Sequence, residues 1–256
     1  MQISSNIENN LAKAINNVTV PKKSRSYELC VKADALRFAK SYRESVKFYL
    51  DSIMMDRSHQ EAYWGLAVSY KYLTEYKKAI KMLEKLTELD ENNDKYHFEI
   101  GVCYLSDGQP AEAIPHLIRA IVINKENLEA QIQLAIAHEL VEEPELSLMI
   151  YDKLIETNPE YLKAYYNKAA MLMGMGNFID ASTTFFKLIK RNPSYYKAYL
   201  GIAMSFDKLA RYKDAIRYYK KFLELKSFSE DAVFARQRIK ELREMTFTHT
   251  NPFKVV

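Results

Sequence analysis

Residues 162–195 read LKAYYNKAAMLMGMGNFIDASTTFFKLIKRNPSY, and residues 196–229 read YKAYLGIAMSFDKLARYKDAIRYYKKFLELKSFS. Laid one above the other without a gap, the two stretches set Ala169 over Ala203, Ala181 over Ala215 and Phe185 over Tyr219. Working outward in steps of 34 residues, the same frame opens earlier windows at Ser26, Gln60, Asp94 and Leu128 with no insertion or deletion. A fixed period of this length marks stacked helical or mixed units, each leaning on its neighbours, rather than one globular core.

The frame defines six windows, 26–59, 60–93, 94–127, 128–161, 162–195 and 196–229. Their eighth place is always small: Ala33, Ala67, Gly101, Ala135, Ala169, Ala203. So is the twentieth: Ser45, Ala79, Ala113, Ser147, Ala181, Ala215. The twenty-fourth is always large: Tyr49, Leu83, Leu117, Tyr151, Phe185, Tyr219. Places 4, 7, 8 and 11 fall on one helical stripe and places 20, 24, 27 and 28 on another. Small residues let two helices approach, and the large ones fill the space beside them. Ser106-Asp107-Gly108 and Gly174-Met175-Gly176-Asn177 mark the turn between the helices. Pro110 and Pro144 stand where a second helix begins, a position that tolerates a missing N–H.

The period, the small-residue places and the terminal Asn158-Pro159 and Asn192-Pro193 resemble the tetratricopeptide repeat over 26–229. The resemblance implies an all-α, right-handed superhelical solenoid of six helix-turn-helix repeats. Residues 230–244 are expected to form a capping helix with Val233, Phe234, Ile239 and Leu242 as its apolar face, since an open stack must cover its last core. Residues 1–25 are polar, with Ile3, Ile7, Leu11, Ile15 and Val18 at helical spacing, and are expected to form a short helix and linker. Residues 245–256 have no helical period and contain Pro252; they are expected to be extended, with Phe253 available to dock on the same or a neighbouring molecule.

Composition sets further bounds. The 256 residues are 48% hydrophobic and 27% charged, as for a folded chain, and 37 basic against 33 acidic residues leave a net charge of +4. That balance gives no general case for nucleic acid. Two cysteines, Cys30 and Cys103, without metal spacing point away from a disulfide framework and toward a reducing compartment, so a cytoplasmic location is expected. No apolar run is long enough to span a membrane. There is no His-Glu-x-x-His, Cys-x-x-Cys, phosphate loop or nucleophile elbow, and no catalytic residue, metal or cofactor is assigned. His97 and His138 fall on core stripes and read as satisfied, partly buried side chains. Lys32 and Lys168 occupy the usually apolar seventh place, where snorkelling or an ion pair accommodates them.

The resemblance implies that first helices line a concave ligand groove through places 5, 9 and 12. Trp64, Val68, Phe98, Val102, Leu105, Ile132, Ile136, Tyr166, Met173, Leu200 and Met204 make that stripe apolar. Some members of the family hold acidic chaperone C-termini on this face through Lys and Asn or Arg. Here the matching places, Cys30, Asp34, Gly65, Lys95 and Glu99, supply one Lys and two carboxylates, which argues against such a clamp. A second patch, Leu146, Met149 and Ile150, stands where other repeats carry charge. The expectation is a scaffold that binds a hydrophobic or amphipathic segment of a protein partner, with no enzymatic activity of its own. An RNA-binding helical repeat and an accessory subunit of an enzyme or secretion complex are the alternatives, the first weakened by the lack of a basic inner track.

Overall fold

The computed structural model describes residues 25–250, with side chains through 246. The expected N-terminal helix and the tail beyond Thr250 lie outside the described residues. Thirteen helices and no strand occur among those described. First helices are α1 (Arg25–Phe38), α3 (Gln60–Tyr72), α5 (Asp94–Ser106), α7 (Leu128–Leu140), α9 (Leu162–Gly174) and α11 (Tyr196–Lys208). Second helices are α2 (Tyr42–Met55), α4 (Tyr76–Leu89), α6 (Pro110–Ile123), α8 (Pro144–Thr157), α10 (Phe178–Arg191) and α12 (Tyr212–Leu225). The last helix, α13 (Glu230–Thr250), starts 34 residues after α11, in the register of a first helix. The architecture is an all-α helical-repeat solenoid. The chain divides into two compact units, Met1–Val141 with α1 to α7 and Glu142–Val256 with α8 to α13.

The core follows from the small-and-large pattern. All twelve residues of the eighth and twentieth places are buried, and every residue of the twenty-fourth place is 2% exposed or less. At Gly101 the approach leaves no room for a side chain: a Cβ there would stand 2.6 Å from Leu117 Cγ. A second buried stripe of the first helices escaped the sequence reading. It runs through Ala62, Ala130, Ala164, Ala198 and Ala232 at place 3 and Ser69, Cys103, Ala137, Met171 and Ser205 at place 10. Mostly small side chains here let a first helix lie close to the preceding second helix, as where the Ser69 and Ser45 hydroxyls meet at 2.9 Å.

Each first helix ends in one device. Residues at the fifteenth place are left-handed, with φ of 62° at Lys40, 59° at Thr74, 74° at Gly108, 62° at Glu142, 78° at Gly176 and 56° at Ala210. Around this residue Ser41, Glu75, Gln109, Asn177 and Arg211 donate N–H to the carbonyls of Leu36, Tyr70, Tyr104, Leu172 and Phe206 at 2.8–2.9 Å. This is the six-to-one bond of a Schellman end, which satisfies carbonyls the helix leaves open. Only Gly108 and Gly176 announced it in the sequence. Second helices end at Asp56, Asp90, Asn124, Asn158, Asn192 and Lys226, whose N–H still bonds back into the helix and which, Asn158 apart, are extended. The side chains of Asp56, Asp90, Asn124 and Asn192 accept the N–H two residues on, turning the chain toward the next repeat.

The structure corrects two expectations for the cap. The helix continues through Thr250, so residues 245–250 are helical rather than extended. Its buried face is Ala232, Ala235, Ile239 and Leu242, while Val233 and Phe234 are 65% and 47% exposed. The register of a first helix decides this: it turns the small places 3 and 6 toward α12, and the bulkier neighbours outward. Lys32 lies 4.2 Å over the Phe48 ring, and Lys168 forms an ion pair with Asp152.

Candidate binding surface

At places 5, 9 and 12 of the first helices most side chains leave the core without becoming fully exposed. In the first unit, Trp64 is half-buried with its ring 5.9 Å from that of Tyr96. Phe98 and Leu105 rest on the buried cluster of Ala113, Leu117 and Ala137. Val68, Val102 and Ile136 are half-buried as well. Ile132 departs from the expectation: it is wholly buried and belongs to the core rather than to a groove. Place 5 points between adjacent helices, so whether it opens on solvent depends on how closely the neighbours approach, which periodicity does not encode.

Polar groups interrupt this stripe. Asp34 Oδ1 accepts from Tyr49 Oη at 2.6 Å and from Arg37 at 2.7 Å, and Arg37 Nε also donates to Tyr49 Oη at 2.9 Å. Burial and the Asp34 carboxylate push the Tyr49 hydroxyl well above the usual tyrosine range. Lys71 and Glu99 form an ion pair. Both cationic side chains at the twelfth place in this unit, Arg37 and Lys71, are therefore engaged by carboxylates of the same face.

In the second unit the same stripe is hollow. Tyr166, Ala170, Met173, Leu200 and Met204 line a recess of about 350 Å³ over Phe185 and Gly201, with Lys197 and Asp231 at its rim. Tyr166, Met173, Leu200 and Met204 are each half-buried and seated on the core, and the Tyr166 ring packs against Phe185 at 6.0 Å. Lys197 Nζ stands 5.9 Å above the Tyr166 ring. Beyond Met204 a second recess of about 480 Å³ is closed by Asp207, Tyr219, Phe234, Arg238 and Glu241. There the Arg238 guanidinium donates to both Asp207 oxygens at 2.6 and 2.9 Å and to Glu241 at 2.8 Å. Those hydrogen bonds hold Glu241 below the usual carboxylate range, with Gln237 contributing first. The sequence reading missed Phe234, Arg238 and Glu241 as members of this surface; the signal was their register, at places 5, 9 and 12 counted from Glu230.

The second patch is partly open, with Leu146 and Met149 exposed at 40% and 61% and Ile150 half-buried. Reactive groups are muted. Burial raises both cysteine thiols to about 12, so neither is a thiolate near neutral pH. His97 is half-buried with Nε2 3.4 Å from the Glu91 carbonyl, while Nδ1 has no partner, so it is less satisfied than expected. Its ring stacks on His116 at 6.2 Å. Among the described residues no group of three or more His, Cys, Asp or Glu is placed to hold a metal ion, and no helix is long and apolar enough to cross a membrane.

Comparison with known proteins agrees with this geometry. Residues 60–93 and 166–230 each match the tetratricopeptide repeat family. A crystal structure of MamA is 25% identical and superposes with a TM-score of 0.56, covering 63% of this chain and 95% of its own. PilW, described as a widely conserved type IV pilus biogenesis factor, is 17% identical with a TM-score of 0.66, over 83% of this chain and 98% of its own. The C-terminal part of a TPR repeat-containing protein from Cytophaga hutchinsonii is 19% identical with a TM-score of 0.70, over 85% and 88%. No curated protein sequence matches the chain. The helix pairs spaced by 34 residues, their buried small places and these matches identify the chain as a tetratricopeptide repeat protein.

Proposed function

We propose that this scaffold captures a hydrophobic or amphipathic segment of a protein partner on the stripe of places 5, 9 and 12, chiefly in the recess of the second unit. The family fold supports a protein-interaction scaffold. The finer reading is carried by one observation: Tyr166, Met173, Leu200 and Met204 surround an open recess although the core beneath them is complete. A side chain entering the recess removes apolar surface of both molecules from water, worth about 25 cal/mol per Å² before association costs. Methionines suit this role because their flexible thioethers repack around different anchors. The rim charges, Lys197 and Asp231, fix orientation more than affinity.

The test is selection of peptides from a displayed random library on the purified full chain, followed by titration calorimetry. Peptides with apolar anchors at helical spacing are expected, and Leu200→Asp should weaken them at least roughly tenfold while far-ultraviolet circular dichroism stays unchanged. Selected peptides that bind Leu200→Asp as well as the parent would overturn the proposal.

A further inference from the structure

The modest net charge conceals a segregation along the chain. Residues 181–256 hold 16 Lys and Arg against 7 Asp and Glu, a net of +9, whereas the whole chain carries +4. Such asymmetry points to an anionic surface as partner. The excess is organised. On α12, Lys213, Arg217 and Lys220 follow one another at four- and three-residue steps, and on α13 Arg236, Lys240 and Arg243 do the same. All six are exposed, and none makes an ion pair with another of the described residues. Each triplet is therefore one ridge on one helix face.

The repeat register shows how the two ridges meet. Lys220 holds the place that Asp152 holds two repeats earlier, and Arg236 the place of Lys168. Asp152 and Lys168 pair with each other. At the end of the stack both of these places hold cations, so the register offers neither a carboxylate partner there, and Arg236 donates to the Ser227 carbonyl at 2.5 Å instead. Beside them the connection between α12 and α13 exposes apolar side chains: Leu225 at 39%, Phe228 at 88% and Val233 at 65%. Ser229 caps α13 by accepting the Ala232 N–H at 3.1 Å, and Phe228 and Val233 flank that cap at the two positions that meet across a helix start.

We infer that this end of the protein docks on a bilayer containing anionic phospholipid, the basic ridges on the headgroups and Phe228, Val233 and Leu225 among the upper acyl carbons. Charge complementarity selects an anionic surface. The aliphatic members of the tip favour lipid over single-stranded nucleic acid, which needs aromatic faces for its bases. This surface is separate from the peptide recess, and its failure leaves that reading untouched.

Flotation of the full chain with phosphatidylcholine vesicles, with and without added phosphatidylserine, tests the inference. Binding only to the phosphatidylserine vesicles, weakening with added salt, is expected. Lys220→Glu/Arg236→Glu/Lys240→Glu should abolish it, because each lost charge reduces partition roughly fivefold. Phe228→Ser/Val233→Ser, which leaves the charge unchanged, should lower it at least roughly tenfold. Circular dichroism and melting of both variants confirm that the fold is kept. Equal binding to both vesicles, no binding, indifference of either variant, or binding to poly(U) RNA in place of vesicles would each overturn it.

Discussion

Gly201 lies against the face of Phe185 so closely that a Cβ on the glycine would stand 2.3 Å from the ring carbon Cε2. Gly65 stands in the same relation to Tyr49, its absent Cβ 2.2 Å from Cζ. In both, the sixth place of a first helix receives the aromatic ring from the twenty-fourth place of the repeat before. Where that residue is Leu83 or Leu117 instead, the following sixth place is Glu99 or Gln133. Ring and hollow are therefore matched at these two boundaries, whereas Tyr151 is followed by Asn167 at the sixth place.

The match predicts opposite signs for one chemical change. Gly201→Ala should destabilise the protein by about 1–3 kcal/mol, since the Phe185 ring cannot retreat from a filled core. Gly174→Ala, at the end of α9 with nothing within 4 Å of the new methyl, should stabilise by up to ~1 kcal/mol through helix propensity. Chemical denaturation of both variants, with Phe185→Leu added to Gly201→Ala, checks the assignment. The added substitution should recover part of the loss; a double variant no better than additive would show that the ring is not the cause.

The left-handed turn residues predict a second sign contrast. Thr74 is β-branched at φ 59°, whereas Gly108 holds the equivalent place at φ 74°. Thr74→Gly should therefore raise stability by about 1 kcal/mol, relief of left-handed strain outweighing the greater freedom of glycine in the unfolded chain. Gly108→Ala should lower it by a similar amount, although nothing lies within 4 Å of its missing Cβ. Thermal unfolding monitored at 222 nm reads both, and equal shifts of the same sign would refute the turn geometry.

These residues also mark what sequence does and does not carry. The buried small places and the large twenty-fourth place were readable because each repeats six times, and packing acts on the average. Gly65 and Gly201 were not, since their place is polar in the intervening repeats and the constraint belongs to a pair of residues. The left-handed fifteenth place was hidden wherever Lys40, Thr74, Glu142 or Ala210 bears a strain that the rest of the turn outweighs. For the surface, the apolar stripe was visible, but burial of Ile132 and exposure of Val233 depend on the spacing and direction of neighbouring helices. For the cap, hydrophobicity alone placed Ile239 and Leu242 on the buried face correctly but Val233 and Phe234 wrongly.

His97 and His116 predict how stability responds to acid. Burial lowers both pKa values from the ordinary 6.5, and each ring carries a neighbouring positive influence, Arg119 for His97 and His97 for His116. Their folded pKa values lie below the unfolded one, so the unfolded chain takes up more protons as pH falls through about 6.5. Stability contributed by the neutral pair is present above that value and is lost below it. The melting temperature should fall between about pH 7 and pH 5, and His97→Gln/His116→Gln should flatten that part of the profile. A profile with the same slope in the variant would place the acid sensitivity elsewhere.

The cap carries the last expectation. Ala232, Ala235, Ile239 and Leu242 form the only face of α13 with fully or nearly buried apolar side chains among its described residues, and they cover the last repeat together with Tyr219 and Phe222. Arg238 adds a two-pronged tie to Asp207, its charge favoured by those hydrogen bonds first and by Glu241 second. In a linear stack the end repeat has one neighbour only, so losing the cap removes half of its support. Leu242→Ala, which empties a side-chain volume at a fully buried site, should cost about 2–5 kcal/mol. Arg238→Ala should cost less in packing but leaves Asp207 beside Tyr219 without its cation. Hydrogen exchange separates local from global effects: in Leu242→Ala the amides of α11, α12 and α13 should lose protection before those of α3 to α6. Uniform loss of protection along the chain would mean that the repeats unfold as one block and that α13 has no special role at the end of the stack.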